Sequence, residues 1–178
     1  KIRLKGSVAI DRETQHAKFK KGIFIDIFPL DKVPEKDDLI LALKYRLVTL
    51  LKLISMYKIG FKSLKYPSIN FFLKCFSLLL NMKFINNLFE KFMLSFNNKD
   101  LSFVTSFGSG FHYTKQRFLI EDYGKGILKE FEGHMFNIPL KFEKILIQLY
   151  GDYKKVPSKE KQVSHSFIKI IFPDEKKI

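Results

Sequence analysis

The sequence predicts a mixed α/β chain of the α+β kind, and three successive stretches lead to that prediction. Residues 1–36 alternate short apolar runs with polar turns, which is typical of strands. Residues 37–99 carry apolar side chains at helical spacing. Residues 100–178 contain a glycine-rich loop, a short apolar strand and a final amphipathic helix. A length of 178 residues fits a single domain with a mixed sheet and packed helices.

The first stretch ends in GIFIDIFPLD, which starts at Gly22. Residues 23–28 are apolar except for Asp26, so they are predicted to form a strand buried on both faces. Burying an unpaired carboxylate costs at least roughly several kcal/mol of folding free energy. We therefore expect either a cation beside Asp26 or a strand end that opens into a site.

Two helical regions are predicted in the middle of the chain. Asp37 or Asp38 is expected to begin the first helix, and Gly60 to end it. The second is expected over residues 68–96, with a break near Asn81. The apolar windows at 39–59 and 69–93 contain several Lys, Arg and Glu residues. Each such charge opposes insertion by roughly 2.5–3.5 kcal/mol at mid-bilayer, so neither window predicts a membrane span, whereas contact with a membrane surface stays open.

The last stretch contains the remaining predicted elements. Residues 131–136 are predicted to form a short strand, and residues 138–139 to lead into a helix. The helix is expected over residues 142–150, with Gly151 at its end. The polar segment after it is predicted to be a loop.

The chain is strongly basic, with 32 Lys and Arg against 18 Asp and Glu, a formal charge of +14. Such a field favours nucleic acid, an anionic membrane surface, or nucleotide and phosphate substrates. The abundance of Lys, Ile, Phe and Asn also fits an AT-rich coding genome, which would explain part of the charge. Nucleic acid is the weakest of these partners, because the basic patches lack the ordered aromatic residues of an RNA-binding module.

Several kinds of site are excluded by the residues present. Cys75 is the single cysteine, which excludes an internal disulfide and a Cys-based zinc cluster. The four histidines lack metal-ligand spacing, and Gly108 and Gly110 are not followed by the Lys-Ser/Thr of a phosphate loop. The remaining candidates are carboxylates: Asp26, Asp31 and Glu132.

An aspartate on a buried strand is a suitable oxygen ligand for Mg²⁺, which takes one or two carboxylates and completes its shell with water and substrate phosphates. The alternative is a structural ion pair or turn cap. That alternative is stronger for Asp31, which lies between Pro29 and Pro34.

Two segments resemble one known family. GIFIDIFPLDKVP is similar to the signature segment of LicD proteins, the phosphocholine transferases related to fukutin. FEGHMFNIPLKFEKILIQLYGDYKKVPSKEKQVSHSF, which begins at Phe131, resembles the C-terminal pattern of the same family. Two ordered motifs about a hundred residues apart are more specific than either alone, and the resemblance covers essentially the whole chain.

The resemblance implies a nucleotidyltransferase-like fold in a bacterial transferase. Such an enzyme moves phosphocholine, or a related phospho-substituent, from a CDP-choline-like nucleotide donor to a sugar of a cell-surface glycan such as lipopolysaccharide or teichoic acid. Mg²⁺ is the implied cofactor, and Asp26 is the implied metal ligand and catalytic residue. The implied substrate-binding candidates, weaker than Asp26, are Asp31, Glu132, Asp152 and His165. Asp31 is expected to order its loop, Glu132 and Asp152 to shape the substrate site, and His165 to contact phosphate.

The sequence departs from the family in one respect. LicD proteins carry an Asp-rich motif upstream of the signature segment, and no Asp-x-Asp occurs in these 178 residues. We therefore expect the chain to correspond to the C-terminal portion of such an enzyme and to be inactive alone. The alternative is a degenerate, noncatalytic basic module of membrane-surface glycan assembly. The expected location is the cytoplasm, including the inner face of the membrane.

Overall fold

The mixed α+β class is confirmed by the computed structural model, which describes residues 1–12, 15–37, 39–60, 67–162 and 167–173. The strands are β1 (Ile2–Arg3), β2 (Val8–Asp11), β3 (Phe24–Ile25), β4 (Asp31–Val33), β5 (Phe103–Thr105), β6 (Phe118–Leu119), β7 (Ile127–Phe131), β8 (His134–Ile138) and β9 (Phe167–Ile171). The helices are α1 (Leu39–Lys58), α2 (Pro67–Leu79), α3 (Met82–Met93), α4 (Ile120–Tyr123) and α5 (Phe142–Tyr150), with 3-10 turns at Leu94–Phe96 and Lys159–Lys161.

The chain divides into two compact units. Unit 1 contains residues 1–27, 49–89 and 159–178, and unit 2 contains residues 28–48 and 90–158. Helices α1 and α3 each continue from one unit into the other. The expectation of a single domain stays a prediction.

Unit 1 contains two antiparallel strand pairs, β1 with β3 and β2 with β9. The Ser7 hydroxyl holds the turn between β1 and β2, because it donates to the Leu4 carbonyl at 2.7 Å and accepts from the Ile23 amide at 2.9 Å. Strand β9 was not predicted. Its partner β2 lies at the opposite end of the chain, so no local pattern indicates the pairing.

Unit 2 contains an antiparallel sheet in the order β4-β5-β6. The register places Asp31 opposite Thr105 and Val104 opposite Phe118. Val33, Val104, Thr105 and Phe118 are all buried, so this sheet lies in the core of the unit.

The helical predictions are largely confirmed. Helix α1 buries Leu41, Val48, Leu51 and Ile54, the one-sided spacing of an amphipathic helix. It ends before Gly60, whose φ of +98° is a conformation that favours glycine. The break near Asn81 is observed between α2 and α3, where the Asn81 side-chain oxygen accepts from the Phe84 amide at 2.7 Å and caps α3. Helix α5 has the predicted bounds.

The apolar helices fall short of a membrane span when each is taken alone. Among the described residues, no single helix has both the length and the composition to cross a bilayer. One pair of helical segments has that length and composition when its two members are taken together. The segments are Ser68–Leu79 and Met82–Phe96, and the bend between them is 101°.

The prediction of one strand over residues 131–136 is wrong. The structure has a hairpin of β7 and β8, with Glu132 and Gly133 as its two-residue turn. Their φ values of 51° and 77° are both positive, as a tight hairpin turn of this type requires. The turn therefore interrupts the apolar pattern at Glu132.

The prediction of a strand at residues 23–28, buried on both faces, is also wrong. Strand β3 contains two residues, and Ile25, Ile27 and Phe28 are exposed. A strand buried on both faces needs a packed layer on each side. In the described part of unit 1, β3 pairs with the two-residue β1, and this pair is too small to provide such layers.

Candidate functional site

Asp26 follows β3 directly and forms an ion pair with Lys1. The Lys1 Nζ atom lies 3.2 Å from Asp26 Oδ1, and the Asp26 side chain is 35% exposed. The same Nζ lies 3.6 Å from the centre of the Phe24 ring, so the ammonium contacts both the ring and the carboxylate. The sequence left open either a cation beside Asp26 or a strand end that opens into a site, and the Mg²⁺ that the family resemblance implies there stays a prediction. Lys1 lies beside the carboxylate, which is far less buried than a strand buried on both faces would make it.

Asp26 fits one ligand position of a Mg²⁺ site. Its carboxylate is accessible and offers hard oxygen atoms, although the Lys1 ammonium is now paired with Oδ1. Within the described ranges, no group of three or more His, Cys, Asp or Glu side chains is placed to hold a metal ion. The described residues therefore provide a single carboxylate here, not a complete set of protein ligands.

Asp31 is the buried carboxylate of β4, with a side chain in the core of unit 2 and a residue exposure of 2%. Its Oδ1 atom accepts from Asn97 Nδ2 at 3.0 Å, and the Asn97 Oδ1 atom accepts from the Lys32 amide at 2.7 Å. Asn97 thus connects the Asp31 side chain to the backbone of the same strand. Within the described residues the Asp31 Oδ2 atom has no hydrogen-bond partner. These contacts order β4 itself, and the predicted role of Asp31 in ordering its loop stays a prediction.

Next to this strand lies a cleft of about 360 Å³ in unit 2. Its lining is mostly apolar, and the lining residues are Leu30, Lys32, Asn97, Val104, Ile120 and Tyr123. Burial, followed by the nearby negative charge of Asp122, raises the pKa of the Tyr123 hydroxyl above its ordinary value. Tyr123 is therefore a neutral hydrogen-bond donor at neutral pH.

Glu132 and Asp152 lie at two separate exposed places of unit 2. Glu132 is at the tip of the β7–β8 hairpin, and Asp152 follows Gly151 at the end of α5. Asp152 lines a second cleft, of about 370 Å³, with Glu143, Ile147, Gly151, Tyr153 and Lys154. Lys154 Nζ lies 3.5 Å from Glu143 Oε1, so this cleft contains both signs of charge. His165 lies outside the described residues.

The predicted site residues are thus distributed over both units. Asp26 belongs to unit 1, and Asp31, Glu132 and Asp152 belong to unit 2. Among the described contacts of unit 2, no hydrogen bond or ion pair joins any two of these three side chains. Of the three, Asp152 alone lines a described cleft.

The sequence interpretation missed Asp122, the most completely buried carboxylate described. Its side chain is 0% exposed; Lys144 donates to Oδ2 at 2.6 Å, and Lys141 Nζ lies 3.1 Å from Oδ1. Burial raises the pKa of the Asp122 carboxyl, but the hydrogen bond from Lys144 and the charges of both lysines outweigh it and hold that pKa below its ordinary value. The lysines follow about twenty residues later, so no local pattern indicates the pairing.

A second missed contact joins Asp37 to Arg117, 80 residues away. Two guanidinium N–H groups of Arg117 donate hydrogen bonds. Nη2 donates to the Asp37 carboxylate, and Nη1 donates to the Glu35 carbonyl at 2.5 Å. The hydrogen bond from Arg117 lowers the pKa of the Asp37 carboxyl. Burial, followed by the charge of Asp37, raises the pKa of the neighbouring Tyr113 hydroxyl. This group fixes the segment before α1 to the β5–β6 connection.

Comparisons with known proteins identify a distant relative. The chain is 28% identical over 149 residues to the lipopolysaccharide cholinephosphotransferase LicD of Haemophilus influenzae (strain ATCC 51907 / DSM 11121 / KW20 / Rd). The match covers 82% of this chain and 56% of the relative, so the chain spans about half the length of the curated protein it matches. No family model and no solved structure matches the chain. The chain is therefore similar, at a distance, to a transferase that acts on lipopolysaccharide.

Proposed function

We propose that this chain takes part in the transfer of phosphocholine, or a related phospho-substituent, from a CDP-choline-like donor to a sugar of a cell-surface glycan. The observation that carries the proposal is the similarity to a lipopolysaccharide cholinephosphotransferase along 82% of the chain. The charge of +14 agrees with an anionic nucleotide donor, which a positive field attracts. The nucleotidyltransferase-like fold and the cytoplasmic location are part of the same proposal.

In this proposal Asp26 contributes one carboxylate to a Mg²⁺ site. Bound Mg²⁺ would neutralise charge on the diphosphate of the donor. Asp26 is suited to this role because its carboxylate is accessible and its present cation, Lys1, is on a flexible side chain that is itself 43% exposed. Withdrawal of Lys1 would free the Asp26 Oδ1 atom without disturbing a packed core.

The other predicted residues have supporting roles. Asp31 holds β4 in one conformation through Asn97. Asp152 and Lys154 line the cleft at the end of α5, where a polar part of a glycan or nucleotide would find both a hydrogen-bond acceptor and a donor. Glu132 shapes the hairpin tip, and His165 is proposed to contact phosphate.

The proposal also implies that the 178-residue chain does not turn over substrate alone. A single carboxylate does not hold a catalytic Mg²⁺ firmly, and the match covers only 56% of the relative. The remaining ligands would come from a segment equivalent to the part of the relative that this chain does not match.

The test uses two readouts. Thermal melting of the purified chain should show stabilisation by CDP-choline with Mg²⁺, and less by CMP or by phosphocholine alone, because a ligand that binds the folded state raises its stability. Transfer of labelled phosphocholine to a lipopolysaccharide acceptor should then arise when the unmatched segment of the Haemophilus relative is supplied in trans or by fusion. Absence of both donor binding and complemented transfer would refute the proposal.

A noncatalytic binding role is the second candidate, and the Lys1–Asp26 ion pair favours it. A carboxylate that already has a cationic partner does not require a metal. In that case CDP-choline with Mg²⁺ would leave the melting temperature of the chain unchanged. Substitution of Asp26→Asn would also leave glycan binding unchanged.

A further inference from the structure

Helix α2 has its apolar side chains on the outside. Leu73 and Ser77, which are one turn apart, form its buried side, and the Ser77 carbonyl accepts from the Lys58 ammonium. The large apolar side chains of the helix are otherwise exposed, and they are Ile69, Phe71, Phe72, Phe76, Leu78 and Leu79. The helix therefore packs against its unit through a narrow stripe that includes a buried serine.

These side chains and Cys75 lie on one side of the helix, which also carries the exposed Ser68 in its first turn. At about 100° per residue they occupy roughly half of the helix circumference, in the order Leu78, Phe71, Cys75, Leu79, Phe72, Phe76 and Ile69. We call these seven residues the α2 apolar face. Phe71 and Phe72 contact each other edge to face, with ring centres 6.0 Å apart. Lys74 is exposed and lies at one border of the face.

The charge of the surrounding sequence is of one sign. Residues 39–89 contain no Asp or Glu. They contain eight cationic residues: Lys44, Arg46, Lys52, Lys58, Lys62, Lys65, Lys74 and Lys83. Of these, Lys74 on α2 and Lys83 on α3 are exposed and belong to the same unit as the face, so a partner that offers an apolar layer and negative charge complements this surface.

We infer that the α2 apolar face binds the surface of an anionic membrane, with its phenyl and leucyl side chains at the acyl boundary and the lysines among the lipid headgroups. This combination of an apolar face and basic flanks is typical of interfacial helices. The inference rests on the exposed residues and the charge and is independent of the proposed function.

The length of the helix favours a position in the plane of the membrane. Its 13 residues span about 20 Å at 1.5 Å per residue, which is shorter than the hydrocarbon core of about 30 Å. A second copy of the chain is a poorer partner for this face. Symmetric pairing would bring Lys74 and Lys83 of one copy towards the same lysines of the other, whereas anionic headgroups neutralise these charges.

The single cysteine provides a direct probe. Cys75 lies within the α2 apolar face and is exposed, so an environment-sensitive fluorophore can be attached there without a further mutation. Vesicles of phosphatidylcholine with phosphatidylglycerol should shift its emission to the blue, and co-sedimentation should show bound protein. Vesicles of phosphatidylcholine alone should bind much less, and rising salt should release the protein, because screening acts within about 8 Å at physiological ionic strength.

Substitutions separate the apolar and the charged contributions. Phe72→Ser with Leu79→Ser should weaken binding to anionic vesicles at least about 100-fold, because two large side chains no longer enter the acyl boundary. The control is Leu128→Ser with Phe131→Ser on β7, which removes side chains of similar exposure, 65% and 64%, and should leave binding unchanged.

The charged contribution is tested by Lys74→Gln with Lys83→Gln, which should weaken binding about 30-fold. Circular dichroism melting checks that each variant is folded.

Two results would overturn the inference. One is that neither vesicle type binds the folded chain or shifts the Cys75 probe. The other is that the probe shifts with protein concentration in the absence of vesicles while sedimentation reports a dimer, since the α2 apolar face would then be an interface between copies of the chain.

Discussion

Asp26 and Asp122 are two aspartates with lysine partners and opposite environments. Asp26 follows a two-residue strand, is 35% exposed and has Lys1 at 3.2 Å. Asp122 lies in α4, is 0% exposed and has two lysines, at 3.1 and 2.6 Å. The apolar residues around Asp26 predicted that its side chain is buried, and in the structure it is partly exposed. The residues around Asp122 gave no such indication, yet its side chain is fully buried.

The difference follows from the cost of moving a charge out of water. A carboxylate in the core loses its hydration and needs close cations to remain ionised. Lys141 and Lys144 provide this for Asp122, while the Lys141 amide donates to the Asp122 carbonyl at 2.8 Å and fixes the start of α5 beside α4. Asp26 retains contact with water, so one exposed lysine is sufficient. Asp26 is thus the more accessible of the two carboxylates, whereas each carboxylate oxygen of Asp122 lies beside a lysine.

The largest expected effect concerns the chemistry of Asp26. In the complemented transferase, Asp26→Asn should reduce phosphocholine transfer at least about 100-fold, because the variant keeps the shape of the side chain but removes the charge that a metal requires. Transfer of labelled phosphocholine measures the loss. Glu130→Gln, which changes an exposed carboxylate on β7, is the matched control and should retain activity. A folded Asp26→Asn variant that transfers at the wild-type rate would show that Asp26 is not a metal ligand.

The next effect concerns the burial of Asp122. Lys141→Met with Lys144→Met leaves a buried carboxylate without a cation and should lower the free energy of unfolding by about 3–5 kcal/mol in urea denaturation. Lys125→Met with Lys155→Met removes two exposed lysines of the same unit and should cost less than about 1 kcal/mol. Adding Asp122→Asn to the first pair should restore most of the loss. No recovery would mean that the lysines act through packing alone.

A smaller effect is expected in acid. The pKa of Asp122 is lower in the folded protein than its ordinary value, so its contribution to stability is present above that ordinary value and is lost as pH falls through the folded pKa. The melting temperature of the wild type should therefore fall more steeply below about pH 4 than that of Asp122→Asn. Parallel curves for the two proteins would contradict the assignment of this ion pair to stability.

The smallest effect is that of Asp26 on stability. Asp26→Asn should change the free energy of unfolding of the chain by less than about 1 kcal/mol, because exposed ion pairs contribute little and are screened by salt. Urea denaturation at low and high ionic strength measures the change, and the two proteins should converge at high salt. A loss of several kcal/mol would instead place Asp26 with Asp122 among the structural carboxylates.

The ends of several helices could be predicted from the sequence alone. The bounds of α5, the end of α1 near Gly60 and the break capped by Asn81 follow from residues within one turn of each position. The hairpin turn at Glu132 was also local, and the Glu-Gly pair between apolar residues was the signal that could have indicated it. The basic charge and the two motifs that resemble LicD proteins are likewise properties of the sequence.

Tertiary structure decided which side chains are buried and which strands pair. Strand β9 pairs with β2 from the opposite end of the chain, Arg117 reaches Asp37 across 80 residues, and Asp122 is buried because its lysines return to α4. An apolar pattern states only that residues favour burial. Whether those residues are buried depends on which other elements of the fold pack against them. Other elements cover Asp122 and the sheet of unit 2, whereas Asp26 and the α2 apolar face stay exposed.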